Sequence, residues 1–424
     1  MIYDFDGIKI TDDTREYRDG LLLLRTYQNA GYINEEKTIT PKELIKHFGL
    51  DQLKVVGVTG TNGKTTTTAA IYSSLLDLGY KTALQGTRGF YIEDELVAKK
   101  THTTPPLLQT LHHIFVAKNQ GCEYFVMEVS SHAIAQNRIE GIDFALKVLT
   151  NITQDHLDYH KTMENYIGVK NSFFMDESQK LINKDEPKAT FNPKNARTYG
   201  IENMATYKVL AYSLEDGISA VVQFGSETVE LFAPILGLFN LYNITAALAS
   251  VHMLTQEPLG CIAETFENFG GVRGRMEIVS VDPLVVVDFA HTPDGMKKVF
   301  ESFAGRSIVA LFGAGGDRDR DKRALMGQMA AKYCTKIYLT SDNPRSEDPD
   351  AIIDDIAKGI KTDVEVEKIV DRKEAIQKAI ETLKKDDILL ILGKGDEEYI
   401  QIGDQKMPHS DIEWASKCLK TKLA

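Results

Sequence analysis

A glycine-rich loop between a short apolar run and a helical pattern limits most strongly how this chain can fold. Residues 55–59 (VVGVT) are typical of a buried strand, and a helical pattern, AAIYSSLLDLG, starts at 69. Glycines let backbone N–H groups turn toward phosphate oxygens, and a helix amino terminus favours an anion. We therefore predict a phosphate-binding strand–loop–helix unit. Its loop residues are Gly60, Thr61, Asn62, Gly63, Lys64, Thr65 and Thr66.

Two side chains of this loop have distinct expected roles. Lys64 is expected to reach the β- and γ-phosphates of a nucleotide, and Thr65 to place its hydroxyl on Mg²⁺. The spacing departs from the pattern G-x-x-x-x-G-K-T, because Val58 stands where the first glycine is usual. The alternative is a glycine-rich turn with a surface lysine. The agreement of Lys, Thr and helix context favours phosphate binding.

Strand and helix patterns alternate along most of the chain, which is typical of an α/β fold with mainly parallel sheets. At 424 residues the chain is long enough for several domains. We predict three: a small N-terminal domain at 1–48, a P-loop ATPase-like central domain at 49–273, and a Rossmann-like C-terminal domain at 274–424. Residues 176–200 are polar with two prolines, and we predict a loop-rich surface insertion there.

Composition excludes some classes of partner. A net charge of −12 argues against a nucleic-acid or anionic-membrane surface. No apolar run approaches the roughly 18 residues that a membrane span needs. The N-terminus, MIYDFDGIKITDD, is acidic and lacks a signal-peptide layout. Four scattered cysteines indicate a reducing cytoplasm; they are Cys122, Cys261, Cys334 and Cys418.

Polar residues follow two predicted strands of the central domain, where ligands bind in an open α/β sheet. Glu128 is a candidate Mg²⁺ ligand, since hard cations bind carboxylate oxygens; the alternative is an exposed glutamate at a strand end. His156 is a candidate for the same metal shell; the alternative is helix capping by Asp155 or Asp158, and both can be true. His156 and His160 have the spacing of a zinc pair, but no supporting Cys or HExxH accompanies them.

Three loops that each follow a predicted strand carry charges suited to an amino-acid substrate. Because the ends of parallel strands meet at one edge of a sheet, we expect these loops to lie together. An arginine fork matches a carboxylate, whereas Asn343 and Glu397 suit an ammonium group. Arg345 would pair with a carboxylate of such a substrate. The candidate residues are Arg318, Asp342, Asn343, Arg345, Gly393 and Glu397.

Eight motifs occur in a fixed order between residues 55 and 400: GTNGKTT, TTPP, EVSSHAIAQNR, NITQDHLDYH, GRME, DFAHTPDGM, DNPRSEDP and GKGDEEY. Together they resemble the Mur ligase family, in its diaminopimelate-adding version. The resemblance implies an ATP- and Mg²⁺-dependent cytoplasmic amide ligase of peptidoglycan precursor synthesis, acting as a monomer. Its substrates would be UDP-muramoyl-dipeptide and diaminopimelate. The three domains would then serve the UDP side, ATP and the amino acid, in chain order.

The resemblance also implies roles for individual residues. Those implied in catalysis are Lys64, His156, Lys170, Arg275 and Asp288. Those implied at the metal are Thr65, Glu128, His156 and Lys170. Besides the loop, those implied at the nucleotide are Asn240, Asn243, Arg275 and His291. Those implied at the muramoyl-dipeptide are Thr103, Thr104, Ser130, Gln136 and Arg138.

In the family, the position of Lys170 carries a carbamylated lysine. A neutral amine can take up CO₂ to form an anionic carbamate that binds magnesium. An ordinary lysine has a pKa of about 10.4 and is mostly protonated, so the site must favour the neutral amine. The alternative is a helix lysine that covers apolar surface with its stem and keeps its amine in water.

The chain departs from the family pattern at three places. The region before the phosphate loop is reduced in length, and its residues 12–15 (DDTR) only loosely resemble the usual uridine-contacting DSR motif. Asp396 and Phe239 stand where histidine is common. Three alternatives stay open: a lysine-adding or folylpolyglutamate-type sister ligase, a P-loop regulatory switch, and a precursor-binding module that consumes no ATP. A regulatory switch would need the guanine-specifying motif N-K-x-D, whereas residues 183–186 read NKDE, with the aspartate one position too early.

Overall fold

The N-terminal part of the chain forms a four-stranded sheet. The computed structural model describes residues 1–33 and 37–423. β1 is antiparallel to β2, while β3 and β4 add in parallel. The elements are β1 (Ile2–Phe5), β2 (Ile8–Thr11), β3 (Leu22–Leu24), β4 (Thr38–Ile39), α1 (Pro41–His47) and 3₁₀ turns at Ala30–Tyr32 and Leu50–Gln52. The Phe5 and Phe48 rings pack on Phe115 of the central part, with centroids 5.0 and 5.5 Å away.

The central sheet has eleven strands in the order β15-β14-β13-β12-β11-β10-β5-β9-β6-β7-β8. From β13 to β6 neighbouring strands are parallel, and both flanks end in antiparallel pairs. The strands are β5 (Lys54–Thr59), β6 (Thr82–Gly86), β7 (Gly89–Ile92), β8 (Glu95–Ala98), β9 (Tyr124–Glu128), β10 (Phe144–Leu149), β11 (Lys180–Asn183), β12 (Ala196–Gly200), β13 (Tyr207–Ser213), β14 (Ile218–Phe224) and β15 (Glu227–Ala233).

Helices cover both faces of this sheet. They are α2 (Lys64–Asp77), α3 (Leu107–Asn119), α4 (Ser131–Ala135), α5 (Leu157–His160), α6 (Met163–Ser172), α7 (Leu238–Thr255) and α8 (Leu259–Thr265), followed by a 3₁₀ turn at Phe266–Asn268. Strand β5 divides its side chains between two cores, since Val56 packs in the core with α2 and α7, and Val55 in the core with α3. Burial on both faces places the end of β5, and the loop after it, inside the molecule.

The prediction of a loop-rich insertion at residues 176–200 is wrong. This segment contributes β11 and β12, which are internal parallel strands of the central sheet. The polar ends of β11 are buried because they are hydrogen-bonded. Lys180 Nζ donates to the carbonyls of Asp176 and Lys194, both at 2.9 Å, and Asn183 Nδ2 donates to the Thr150 carbonyl at 2.8 Å.

The C-terminal part forms a six-stranded sheet in the order β16-β17-β21-β18-β19-β20, parallel except for the β16–β17 pair. Its strands are β16 (Glu277–Val281), β17 (Leu284–Asp288), β18 (Ser307–Phe312), β19 (Lys336–Leu339), β20 (Glu365–Lys368) and β21 (Asp387–Leu392), with a hairpin of β22 (Tyr399–Ile402) and β23 (Gln405–Pro408). Its helices are α9 (Pro293–Glu301), α10 (Asp321–Tyr333), α11 (Pro349–Ala357), α12 (Arg372–Thr382) and α13 (Asp411–Leu423).

These sheets confirm the predicted α/β class with mainly parallel strands. Each sheet lies within one of the three predicted domains, while the domain boundaries themselves stay a prediction. Within the described ranges, no helix combines the length and apolar character needed to cross a bilayer.

Candidate active site

Two adjoining cavities open between the central and C-terminal sheets. The larger, about 660 Å³, contains the phosphate loop, and we call it the loop cavity. The smaller, about 370 Å³, is lined by two arginines, and we call it the arginine cavity. Both are lined by Asp155, His156, Phe289 and His291, which form a shared wall. Groups bound in the two cavities would therefore approach each other at this wall.

The structure brings most of the predicted site residues to these cavities. Those lining the loop cavity are Thr61, Asn62, Gly63, Lys64, Thr65, Thr66, Thr103, Glu128, His156, Asn243, Arg275, Asp288 and His291. Those lining the arginine cavity are His156, His291, Arg318, Asp342, Asn343, Arg345, Gly393 and Glu397. The predicted residues that line neither cavity are Gly60, Thr104, Ser130, Gln136, Arg138, Lys170 and Asn240.

The phosphate loop is packed so tightly that only glycine fits at two positions. A Cβ on Gly60 would lie 1.8 Å from Thr150 Oγ1, and one on Gly63, whose φ is +86°, would lie 2.3 Å from Asn243 Oδ1. Lys64 is the first residue of α2, and its Nζ donates to the carbonyls of Gly60 and Thr61, both at 2.9 Å. Burial lowers the pKa of Lys64, and the negative charge of Glu128 partly opposes this shift.

Glu128 offers a buried carboxylate beside this loop. Its Oε2 accepts from the Thr65 hydroxyl at 3.1 Å, and the Thr87 backbone N–H and hydroxyl donate to its two oxygens at 2.8 and 3.1 Å. Magnesium in phosphate-transfer sites is usually held by one or two carboxylates and the substrate phosphates. Thr65 and Glu128 fit that arrangement. In the part of the chain that the structure describes, no group of three or more His, Cys, Asp or Glu side chains forms a complete metal cage.

His156 stands on the shared wall beside Asp155. Its Nε2 lies 3.4 Å from Asp155 Oδ2, and desolvation by the surrounding protein lowers the pKa of His156 to about 4, against the opposing charge of Asp155. A neutral imidazole can act as a metal ligand or a hydrogen-bond acceptor. The alternative of helix capping by Asp155 or Asp158 is wrong, because His156 occupies the capping position of α5 in a left-handed conformation with no side-chain cap.

Lys170 is buried behind the loop cavity, with 1 % of its surface exposed. The alternative of a helix lysine reaching into water is therefore wrong. Its Nζ lies 4.9 Å from the centroid of the Tyr166 ring, and the Tyr166 hydroxyl lies 2.9 Å from Thr61 Oγ1 in the phosphate loop. Burial, and next the positive charge of Lys64, lowers the pKa of Lys170 well below its ordinary value. The surroundings thus favour the neutral amine that carbamate formation requires.

Four of the five residues predicted at the muramoyl-dipeptide, all except Thr103, form one hydrogen-bonded group beside Glu128. Thr104 Oγ1 donates to the Glu128 carbonyl at 2.9 Å and accepts from the Ser130 N–H at 2.9 Å. Arg138 donates to the Thr104 carbonyl at 2.8 Å and to Gln136 Oε1 at 2.6 and 2.9 Å. Thr104 is fully buried, and its role at the muramoyl-dipeptide stays a prediction.

The three charged loops of the C-terminal sheet meet in the arginine cavity, as their positions after parallel strands predict. Arg345, at a φ of +53°, donates from Nη1 to the Gly316 carbonyl at 2.6 Å. Burial, and next the positive charge of Arg318, lowers the pKa of Arg345. Asn343 Nδ2 donates to Glu397 Oε2 at 2.9 Å. The cavity thus presents two guanidinium groups near a carboxylate and an amide.

Sequence reasoning missed Lys394 in this cluster. Its side chain is fully buried, and Nζ donates to Asn343 Oδ1 at 3.1 Å and Glu397 Oε2 at 2.9 Å. Its place in the GKGDEEY motif was the available signal, but a loop lysine is usually exposed. Sequence reasoning also missed the bond from Asn62 Nδ2 to Asp294 Oδ2, at 3.2 Å, which joins the phosphate loop to α9. No local signal marks a contact between residues 232 positions apart.

The remaining predicted residues surround the junction of the two cavities. Asp288 accepts from the N–H groups of Met276 and Ala290 at 2.8 and 2.7 Å, and burial raises its pKa. The Arg275 guanidinium lies 3.9 Å from the centroid of the Phe289 ring. His291 hydrogen-bonds the Phe289 carbonyl through Nδ1 at 2.9 Å, and burial lowers its pKa.

Asn240 and Asn243 act as a pair at the start of α7. Asn243 lines the loop cavity, and its Nδ2 donates to Asn240 Oδ1 at 3.0 Å. Asn240 in turn donates to the Leu236 carbonyl at 2.8 Å. Asn240 therefore positions Asn243 from behind the cavity wall.

Comparison with known proteins identifies the family of this chain. Residues 58–251 match the family model described as Mur ligase middle domain, and residues 274–395 match the Mur ligase, glutamate ligase domain. The UDP-N-acetylmuramoyl-L-alanyl-D-glutamate–2,6-diaminopimelate ligase of Wolinella succinogenes is 55% identical over 410 residues, which cover 95% of this chain and 94% of that protein. The chain belongs to the Mur ligase family.

Two further comparisons extend the similarity over the whole length of this Mur ligase. The protein of the same name from Helicobacter pylori is 51% identical over 419 residues, covering 95% of this chain and 94% of the relative. A solved structure of a ligase with that name is 30% identical, with a TM-score of 0.68, and covers 98% of this chain and 95% of that one. The chain therefore matches these three proteins over 94–95% of their length.

Proposed function

We propose that this Mur ligase is an ATP-dependent amide ligase that adds meso-2,6-diaminopimelate to UDP-N-acetylmuramoyl-L-alanyl-D-glutamate in peptidoglycan precursor synthesis. The observation that carries the proposal is the shared wall between the two cavities. A phosphate loop with a buried carboxylate lies on one side, and groups suited to a diamino diacid lie on the other. The relatives' names support this reaction over a lysine-adding or folylpolyglutamate-type ligase.

In the proposed reaction, the γ-phosphoryl group of ATP passes to the γ-carboxylate of D-glutamate and forms an acyl phosphate with ADP. An amine of diaminopimelate, after losing its proton, attacks the acyl carbon; the new amide forms as inorganic phosphate leaves. The chain contributes positioning and charge. The Lys64 ammonium offsets the repulsion between the carboxylate and the triphosphate. Arg275 and Asp288 would hold the reacting groups in place where the two cavities adjoin.

Thr65 and Glu128 would hold Mg²⁺, which supplies further charge neutralisation when bound. We propose that Lys170 is carbamylated. Its neutral amine would attack CO₂ to form an N–C bond and release one proton, and the resulting anion would lie behind the loop cavity near Lys64. The lowered pKa of Lys170 supports this proposal. His156 is a suitable additional ligand, because desolvation lowers its pKa to about 4 although the charge of Asp155 opposes that shift.

The use of ATP and the four free cysteines support a cytoplasmic location. We propose that the enzyme acts as a monomer, which size-exclusion chromatography with light scattering would test. As a supplier of peptidoglycan precursor, the enzyme would contribute to cell shape and cell division.

The direct test is phosphate release from ATP with UDP-muramoyl-dipeptide and a panel of amino acids. We expect release only when the acceptor and diaminopimelate are both present. Phosphate release with lysine would support the lysine-adding alternative. Phosphate release with a folate acceptor and glutamate would support the folylpolyglutamate-type alternative. Acceptor binding without any phosphate release would contradict ligase chemistry and support a binding module.

Arg345→Ala is expected to raise KM for diaminopimelate by about 10²-fold and to abolish the preference for diaminopimelate over lysine, because the guanidinium proposed to pair with the second carboxylate of the substrate would be lost. The measurement is phosphate release at varied diaminopimelate and varied lysine. Arg320→Ala is the matched control, since Arg320 is an exposed arginine of the neighbouring loop that pairs with Glu347. An unchanged preference in Arg345→Ala would show that this arginine does not read the second carboxylate.

A further inference from the structure

A fully buried ion pair lies beneath the loops of the arginine cavity. Arg372 is the first residue of α12, and Asp411 is the first residue of α13. Arg372 Nε donates to Asp411 Oδ1 at 2.8 Å and Nη2 donates to Oδ2 at 2.7 Å, and both side chains have no exposed surface. Neither residue lines the loop cavity or the arginine cavity, so neither is placed to touch a substrate bound there.

The remaining donors of Arg372 bind the ends of two strands. Nη2 donates to the Leu392 carbonyl at 2.9 Å, and Nη1 donates to the Ser341 carbonyl at 3.2 Å. Leu392 ends β21 and is followed by Gly393, while Ser341 lies just after β19 and is followed by Asp342. One guanidinium group therefore joins the two backbone segments from which two of the three charged loops of the arginine cavity start.

The two loops come into contact where Gly393 faces the Asp342 carboxylate. A Cβ on Gly393 would lie 2.7 Å from Asp342 Oδ2. A small change in the spacing of the loops would therefore alter how the groups they carry face each other.

Asp411 adds a third connection to this pair of loops. His409 hydrogen-bonds Asp411 Oδ1 through Nε2 at 2.7 Å, and the His409 backbone N–H donates to the Glu398 carbonyl at 3.0 Å. The second bond holds the residue that follows Glu397. A shift of Asp411 would thus move Glu397 relative to Asn343.

Stability alone is a weak explanation for this ion pair. Moving two charges out of water is costly, and replacing a buried pair by apolar residues of similar volume is often neutral or stabilising. What an apolar pair would not provide is a set of donors for the carbonyls of Ser341 and Leu392. The geometry therefore indicates a role in the relative position of the two loops.

We propose that Arg372, held by Asp411, is a positioning residue for the amino-acid substrate. It sets the spacing of the loops after β19 and β21, so that Asn343, Arg345 and Glu397 meet the substrate together. The identity of that substrate as a diamino diacid rests on the proposed function. The positioning role itself applies to whichever amino acid the arginine cavity binds.

The test compares three variants with the wild-type enzyme. Arg372→Lys keeps the charge but loses the planar fork. The double variant Arg372→Met with Asp411→Leu removes both charges and the donors to both carbonyls. Lys336→Met is the matched control, because Lys336 lies at the opposite end of β19 and pairs with Glu365 and Glu367, both at 2.7 Å. KM for diaminopimelate, KM for ATP, kcat and Tm are measured for each variant.

We expect KM for diaminopimelate to rise about tenfold or more in both Arg372 variants, since misplacement by about 1 Å can cost up to 10²-fold. KM for ATP should stay within about twofold, and Lys336→Met should change only Tm. An unchanged KM for diaminopimelate in folded Arg372→Lys would overturn the proposal, as would equal changes in all parameters in Arg372→Lys and Lys336→Met. If the double variant does not fold, Arg372→Lys decides between these results.

Failure of this proposal and failure of the proposed function are distinguishable. If the wild-type enzyme uses another amino acid in the panel assay, the proposed substrate is wrong, and the same variants are tested with that amino acid. If the wild-type enzyme uses diaminopimelate and the variants bind it normally, only the positioning role is wrong.

Discussion

Lys64→Met is expected to lower kcat for phosphate release by about 10²- to 10³-fold, which is the usual effect of removing one preorganised group that stabilises developing charge. Methionine replaces the apolar stem of Lys64 but not its ammonium group. In the structure that group lies at the mouth of the phosphate loop, held by the carbonyls of Gly60 and Thr61. Loss of the ammonium leaves the repulsion between the γ-phosphate and the attacking carboxylate without its nearest fixed cation.

The measurement for Lys64→Met is steady-state phosphate release with saturating acceptor and diaminopimelate. Lys54→Met is the matched control, because Lys54 lies at the start of the strand that ends at the phosphate loop and its Nζ hydrogen-bonds only Tyr124 among the described side chains, at 3.2 Å. We expect wild-type kcat in that control. An unimpaired kcat in Lys64→Met would contradict the proposed role of the Lys64 ammonium in phosphoryl transfer.

Lys170→Met is expected to lower kcat by about 10²-fold and to make it independent of CO₂, because the proposed carbamate would be lost from a site that acts through charge. The wild-type enzyme should lose activity in CO₂-free buffer and regain it with bicarbonate. Lys180→Met is the control: Lys180 is also fully buried, but its Nζ bonds two backbone carbonyls away from both cavities. Full activity of Lys170→Met with and without bicarbonate would contradict carbamylation.

The same substitution has an expected effect on stability with a definite sign. The pKa of Lys170 is lower in the folded protein than in the unfolded chain, so the unfolded chain binds more protons below the unfolded pKa of about 10.4. The folded protein therefore loses stability as pH falls from that value. In CO₂-free buffer, Lys170→Met should have a higher Tm than the wild type at about pH 7, and the difference should shrink as pH approaches about 10.4. A higher wild-type Tm at neutral pH would show that the amine is stabilised by its surroundings.

Short-range patterns predicted the parts of the site that are continuous in the chain. The phosphate loop, Glu128 at the end of β9 and the three charged loops lie where the sequence patterns predict, since strand ends and glycine turns are determined largely by neighbouring residues. The same rules failed at residues 176–200. There, Lys180 and Asn183 enter the sheet only because distant carbonyls accept their hydrogen bonds.

Long charged side chains were the least predictable part of the site. Lys394 and Arg372 have sequence surroundings typical of exposed residues, yet both are buried because partners elsewhere in the chain satisfy them. Asp411, for example, is 39 positions from Arg372. A buried charge is stable only when it has hydrogen-bonding or charged partners. Partners that are distant along the chain leave no local sequence pattern.

Motifs of a few residues specify a phosphate loop or a charged turn, so the order of residues was enough to establish which chemical groups this protein carries and where along the chain. Which of those groups meet, and what state they adopt, depends on the fold. The shared wall joins Asp155 and His156 of the central sheet to Phe289 and His291 of the C-terminal sheet. Burial and the charge of Lys64 then make Lys170 a weak base. Both effects come from neighbours that are remote along the chain, and only folding brings those neighbours together.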